Sequence, residues 1–166
     1  MARIDLSGIR HAYGPDPREP ADYALRQVEH VFEDGGAYAL LGPSGCGKTT
    51  LLNLISGLVT PSEGKILFDG NDLLSLPSGE LRRMRREFQI IFQDPYSSLS
   101  PRMMVGDALM EPLKVHGIGK NRRERKEIVI RMMQKTGLEE DHFYRYPHEF
   151  SGGQRQRICI ARALVL

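Results

Sequence analysis

Gly42-Pro43-Ser44-Gly45-Cys46-Gly47-Lys48-Thr49 is the stretch on which the rest of the chain is organised. It fits G-x-x-x-x-G-K-[ST], the pattern of a loop that cradles phosphate. Several backbone N–H groups must converge on one anion, and side chains there would obstruct them. Glycine removes the side chain and permits the unusual φ values such a loop needs. Ala37–Leu41, just before it, is a compact apolar run suited to a central strand of a parallel sheet. Lys48 to Leu58, just after it, carries Leu51, Leu52, Leu54, Ile55 and Leu58 at helical spacing. The start of that helix turns its positive end toward a bound phosphate. Gly42, Pro43, Ser44, Gly45, Cys46, Gly47, Lys48, Thr49 and Thr50 are therefore the candidate phosphate contacts. Lys48 is expected to reach the β- and γ-phosphates of a nucleotide, and the Thr49 hydroxyl to ligate Mg²⁺. Cys46 reads as a small residue tolerated in the loop.

Upstream, Ile4, Leu6 and Ile9 mark a short strand ending near Tyr13. Gly14-Pro15-Asp16-Pro17-Arg18-Glu19-Pro20 follows; its prolines hold neither strand nor helix, so it reads as an exposed loop. Ala24 to Phe32 reads as a second strand, and Asp34-Gly35-Gly36 as a turn. Downstream, Lys65 to Phe68 is expected as a strand, Asp69-Gly70-Asn71-Asp72 as a turn, and Ser78 to Arg86 as a short basic helix. Phe88 to Phe92 is apolar and β-rich. Val105 to Thr136 holds two helical patterns separated by Gly117-Ile118-Gly119. Ile128, Val129, Met132 and Met133 share one face of the second, and core packing explains them.

The chain of 166 residues carries 23 Lys plus Arg against 21 Asp plus Glu, a net charge of +2, with 27% charged and 40% hydrophobic residues. This composition excludes a disordered or fibrous chain. The small net charge supplies no electrostatic footprint for nucleic acid. The basic runs Arg82, Arg83, Arg85, Arg86 and Arg122, Arg123, Arg125, Lys126 are flanked by Glu80, Glu87, Glu124 and Glu127, and read as solvated helix faces. No apolar run approaches the ~18 residues of a membrane span. The first residues lack the apolar stretch of a secretory signal. Cys46 and Cys159 fit no metal spacing, and two lone thiols suggest a reducing, cytoplasmic setting.

A second helix start lies far downstream. Tyr146-Pro147-His148-Glu149-Phe150 is followed by Ser151-Gly152-Gly153-Gln154. Pro147 stops any preceding helix, and Ser151 with Gln154 three residues on forms an S-x-x-Q capping box. Glycine in a helix costs roughly 1 kcal/mol against alanine. Two glycines in the first turn leave bare N–H groups facing outward, a second anion site.

Taken together, the two motifs resemble the ATP-binding cassette (ABC) ATPase family. The signature here reads Phe150-Ser151-Gly152-Gly153-Gln154, with Phe in place of the family's Leu. Phe92-Gln93-Asp94-Pro95 resembles the family's glutamine loop. The resemblance implies an α/β fold, a P-loop NTPase core with a mixed sheet plus an α-helical subdomain. It implies an antiparallel β and P-loop core over 1–92, the glutamine loop and helical subdomain over 93–150, and the signature helix over 151–166. It implies ATP and Mg²⁺, with Lys48 and Gln93 catalytic, Thr49 and Gln93 at the metal, Tyr13 stacked on adenine (Tyr23 is the alternative), and Ser151, Gly152, Gly153 and Gln154 at the nucleotide. The implied partners are a second ATPase subunit packed head to tail, transmembrane permease subunits and, indirectly, an extracytoplasmic solute-binding protein. No nucleic acid is expected. The implied place is the cytoplasmic face of the cell membrane, held peripherally.

Up to about Asp72 the chain looks like sugar or glycerol-phosphate importer ATPases, and from about Gln89, through Phe92–Arg102 and Tyr146–Phe150, like oligopeptide or dipeptide importer ATPases. In the family a strand ending in Asp-Glu and a switch histidine follow the segment equivalent to Ala161–Leu164. On this reading the cassette is incomplete at Leu166, and residues 1–166 alone are expected to be marginally stable and inactive in turnover. Asp94, Asp107, Glu111, Glu149, His116 and His148 match none of those positions. The alternatives are a non-transport ABC ATPase, a small-molecule kinase, which leaves Ser151–Gln154 unexplained, and a hydrolysis-incompetent fragment that at most binds nucleotide.

Overall fold

The computed structural model describes residues 2–94 and 98–166. The chain divides into two compact units, Met1–Phe88 and Gln89–Leu166.

In the first unit, strands β1 (Ile4–His11), β2 (Leu25–Phe32), β3 (Glu63–Phe68) and β4 (Asn71–Asp72) form one sheet in the order β2-β1-β3-β4. Every pairing is antiparallel. Ile4 opposes Phe32 on one side and Phe68 on the other. A bulge interrupts β1: the register slips between Leu6 and Ile9 against β2 and between Ser7 and Arg10 against β3. Gly8, at φ 59°, accommodates it. The extra residue is why Leu6 and Ile9, three apart, both point into the core, and why His11 follows them inward. Helix α1 (Lys48–Ile55) lays Leu51 and Leu54 on the same core, with Leu25, Ile66, Phe68 and Leu73. Helix α2 (Ser78–Met84) adds Leu81 and Met84 at its margin.

In the second unit, helices α3 (Val105–Val115), α4 (Arg122–Lys135) and α5 (Gly152–Leu164) share a core of Val105, Leu109, Leu113, Val129, Met133 and Ile158, with Phe143 and Phe150 from the short turns before α5. The apolar face expected on α4 is present: Val129 and Met133 are fully buried, and Ile128 and Met132 pack against them. Asn121 caps α4, its side chain accepting from the Glu124 N–H at 2.9 Å. Gly106 lets the Phe143 ring lie against α3, where a Cβ would stand 2.5 Å from the ring.

Two expectations are corrected. Ala37–Leu41 forms no strand and is exposed, Leu41 at 91%. Phe88–Phe92 forms none either, and Ile91 and Phe92 are exposed. The sheet among the described residues is therefore wholly antiparallel, not mixed. An apolar run becomes a buried strand only where a neighbouring strand meets its ladder groups, and no described strand pairs with either segment. Gln93 accordingly lies in a bend and not at a strand end.

Gly64, at φ 94°, sits where β3 crosses the bulge, and a Cβ there would stand 2.5 Å from the Gly8 carbonyl oxygen and 2.6 Å from that of Ser7. Backbone cannot retreat as a side chain can. Gly64→Ala is expected to lower stability by about 2–4 kcal/mol, read as a fall in the urea midpoint of the intact protein.

Candidate nucleotide-binding site

Gly42, Gly45 and Gly47 have φ values of 158°, 80° and 89°, so the loop runs through backbone conformations that side chains resist. At Gly47 the reason is also steric: a Cβ would meet the Ala24 carbonyl oxygen at 2.7 Å. At Gly42 it would meet Cys46 Sγ at 2.6 Å. Gly47 is the N-cap of α1, and the first helical bond runs from the Leu51 N–H to the Gly47 carbonyl at 2.8 Å. The preceding amides of that turn have no acceptor within the helix. The Lys48 ammonium folds back across the loop, donating to the Gly42 and Pro43 carbonyls at 2.8 and 2.7 Å and approaching Cys46 Sγ at 3.3 Å. Pro43, Ser44 and Thr49 are exposed, whereas Thr50 is buried.

The residues fit a nucleotide triphosphate. A glycine-lined concavity, a helix start and an ammonium already seated in the loop supply donors of one sign. A phosphate oxygen competes well for Lys48, because it offers the ammonium a full negative charge where a carbonyl offers only a partial one. Among the described residues, no cluster of three or more His, Cys, Asp or Glu is placed to hold a metal. In a P-loop the Ser/Thr hydroxyl of the motif ligates Mg²⁺ beside the substrate phosphates, and Thr49 is exposed to offer it.

Tyr13 lies beside this helix. Its ring is 67% exposed, and its hydroxyl stands 3.3 Å from the Thr50 hydroxyl. Tyr23 is committed elsewhere: the Arg10 guanidinium covers one ring face at 4.1 Å from the centroid, and the Tyr23 hydroxyl donates to Glu63 at 3.3 Å. Tyr13 is thus paired with the first turn of α1, whereas the Tyr23 ring and hydroxyl are held by Arg10 and Glu63. Sequence reasoning did not find His11, which packs edge-to-face against Tyr13 with centroids 4.6 Å apart.

In the second unit the Ser151 capping box forms as expected. The Ser151 hydroxyl accepts from the Gln154 N–H at 3.3 Å, and Gln154 Oε1 accepts from the Ser151 N–H at 3.0 Å. Phe150 is buried against His142, at 5.1 Å between centroids, so an aromatic serves as the anchor behind the cap. Gly152 and Gly153 have ordinary helical φ, and a Cβ on either would meet nothing within 4 Å. Neither backbone strain nor packing requires glycine there. Arg155 braces the turn by donating to the Pro147 carbonyl at 2.7 Å.

Gln93 is exposed. Of the motif around it, Pro95, Tyr96 and Ser97 lie outside the described residues. The segment is tied to α5: the Ser98 hydroxyl donates to the Asp94 carbonyl at 3.0 Å, and Arg162 donates to the Ser98 carbonyl at 2.8 Å. The remaining carboxylates are engaged structurally, Asp107 with Arg122 and Glu111 with Arg162, both at 3.3 Å, and Glu149 with the Tyr146 N–H. Burial pushes the Cys159 thiol up from its ordinary value, as suits a core residue. No helix among the described residues is long and apolar enough to cross a membrane.

A glycine loop feeding a helix start, beside an antiparallel sheet and followed by a helical unit with its own glycine-opened helix, defines a P-loop nucleotide-binding cassette. The chain belongs to the ABC transporter family, which matches it over residues 25–166. It is 46% identical over 144 residues to the glutathione import ATP-binding protein GsiA of Salmonella paratyphi A, and 47% identical over 146 residues to that of Escherichia coli K12. Each match covers 87% of this chain and 23% of the relative, so the chain spans about a quarter of the length of these curated relatives. A match of that length in 166 residues runs across both halves of the chain. Among solved structures, the dimeric post-hydrolysis state of the ATP-binding cassette MJ0796, bound to ADP and Pi, superposes with a TM-score of 0.83 at 32% identity, covering 98% of this chain and 69% of that one. The cbiO1 protein of Clostridium perfringens, part of the cbiONQ transporter complex, gives 0.78 at 26% identity, covering 98% and 61%.

The cap and the glycines separate by stability. Ser151→Ala is expected to cost about 1 kcal/mol, whereas Gly152→Ala and Gly153→Ala each raise stability by up to about 1 kcal/mol. Thermal melting of the intact protein checks both signs. A destabilised Gly153→Ala would mean that the glycine serves packing after all.

Proposed function

We propose that this chain is the nucleotide-binding portion of the energy-coupling ATPase of an ABC importer. The observation that carries it is the pair of helix starts. At α1 glycine is demanded by φ and by close backbone contact, and at α5 it is demanded by nothing inside the unit. Bare amides at Gly152 and Gly153 without internal cause suit something that approaches from outside.

On this reading ATP lies along Gly42–Thr50, with its adenine on Tyr13. Lys48 leaves the Gly42 and Pro43 carbonyls for the β- and γ-phosphate oxygens. The loop amides orient the triphosphate, and catalysis is positioning plus charge stabilisation. Thr49 and Gln93 would hold Mg²⁺, which would supply neutralisation of phosphate charge. Ser151–Gln154 closes over a triphosphate held by a second ATPase subunit arranged head to tail, and the dimeric neighbour supports the pairing of two cassettes. Gln93 links nucleotide state to permease subunits, so that hydrolysis drives uptake of a solute delivered by an extracytoplasmic binding protein. The assembly holds the chain at the cytoplasmic face of the membrane. The glutathione-importing relatives favour a small peptide-like cargo over a sugar.

The test uses the intact transporter in vesicles, following ATP binding, hydrolysis and uptake of a labelled small peptide. Lys48→Ala is expected to lower hydrolysis by at least about 100-fold. Gln93→Ala is expected to keep ATP binding while losing uptake. Gly153→Ala is expected to lose hydrolysis although its fold is no less stable. Full hydrolysis in Lys48→Ala overturns the phosphate site, and unchanged uptake in Gln93→Ala overturns the coupling role.

A further inference from the structure

His11 is a buried imidazole, 6% exposed, whose two ring nitrogens have no hydrogen-bond partner among the described residues. Buried polar groups in native proteins are nearly always satisfied, so such a group calls for a reason. Its ring stands edge-to-face with Tyr13, at 4.6 Å between centroids and 88° between planes. The strand that carries it is pinned on both sides of His11 by one residue. The Ser62 N–H donates to the Arg10 carbonyl at 2.9 Å, and the Ser62 hydroxyl accepts from the Ala12 N–H at 3.1 Å. The far end of Tyr13 is tethered by its hydroxyl to Thr50, within the first turn of α1. An aromatic residue left mostly to solvent is thereby held by the His11 ring on one side and at its hydroxyl tip. It does not swing freely as an exposed tyrosine would.

From this geometry we infer that His11 is a positioning residue for base recognition. It sets the plane of Tyr13 so that a purine stacks on the open face while the triphosphate lies on α1. The inference rests on the reading of Tyr13 as the adenine platform. His11 does not touch the nucleotide: both ring nitrogens are sealed from solvent, so it acts through Tyr13. The contact is ring to ring, and a phenyl ring in its place keeps it, whereas a branched aliphatic side chain fills the space without it. A fixed platform spares the entropy of ordering a side chain on binding, the usual gain from preorganisation. The bulge at Gly8 is part of the device, because it sets His11 inward after Ile9.

The experiment compares the affinity of the intact protein for ATP with its affinity for inorganic tripolyphosphate, which occupies the loop and has no base. Wild type, His11→Leu, His11→Phe and Tyr13→Ala are measured by calorimetric titration, with melting curves to confirm folding. His11→Leu is expected to weaken ATP by about three- to tenfold, the size of one aromatic pair, and to leave tripolyphosphate unchanged. His11→Phe is expected to restore ATP to within about twofold of wild type. Equal loss of both ligands in His11→Leu overturns the inference, as does wild-type discrimination in His11→Leu while Tyr13→Ala loses it. If Tyr13→Ala itself leaves the ratio unchanged, the adenine platform falls first, and the role of His11 falls with it.

Discussion

A bound phosphate asks the chain for bare backbone N–H groups, all turned toward one point. Every other feature of the nucleotide half follows from meeting that demand. The loop must pass through left-handed conformations, so Gly45 and Gly47 stand there. It must press on the sheet, so Gly47 meets the Ala24 carbonyl with no Cβ between them. A helix must begin at once, so α1 starts at Lys48 and buries Leu51 and Leu54 as its anchor. Lys48 spans the loop from the carbonyl side, and its ammonium keeps the concavity organised around a charge.

The second helix start is built differently. Its φ values are ordinary, and its glycines touch nothing. A capping box, an anchored Phe150 and the Arg155 brace hold the turn, and the open amides are an exception the local structure does not need. Stability and access oppose each other at Gly152 and Gly153. Glycine in a helix weakens it, whereas alanine would cover the amides that glycine leaves bare.

The structure also links each site to its surroundings through few bonds. Thr50 carries a tether from α1 to Tyr13, and Arg162 carries one from α5 to Ser98 beyond Gln93. Thr50 neighbours a motif residue, and its hydroxyl is paired with that of Tyr13. Arg162 lies near the C-terminal end of α5, where it reaches both Ser98 and Glu111.

Local pattern determined much of this protein by itself. Gly42–Thr49, the Ser151–Gln154 cap, the strands around Ile9 and Ile66, and the α4 face of Val129 and Met133 were legible because turn chemistry, capping and period are set by neighbours in sequence. The apolar runs Ala37–Leu41 and Phe88–Phe92 were legible as hydrophobic and misleading as strands. A strand is made by the partner that accepts its ladder bonds, and sequence does not name the partner. The bulge at Gly8, the contacts of Tyr13 with His11 and Thr50 and the burial of His11 were decided in three dimensions. Each depends on which side of a pleated strand faces the core, and one inserted residue reverses that for everything after it.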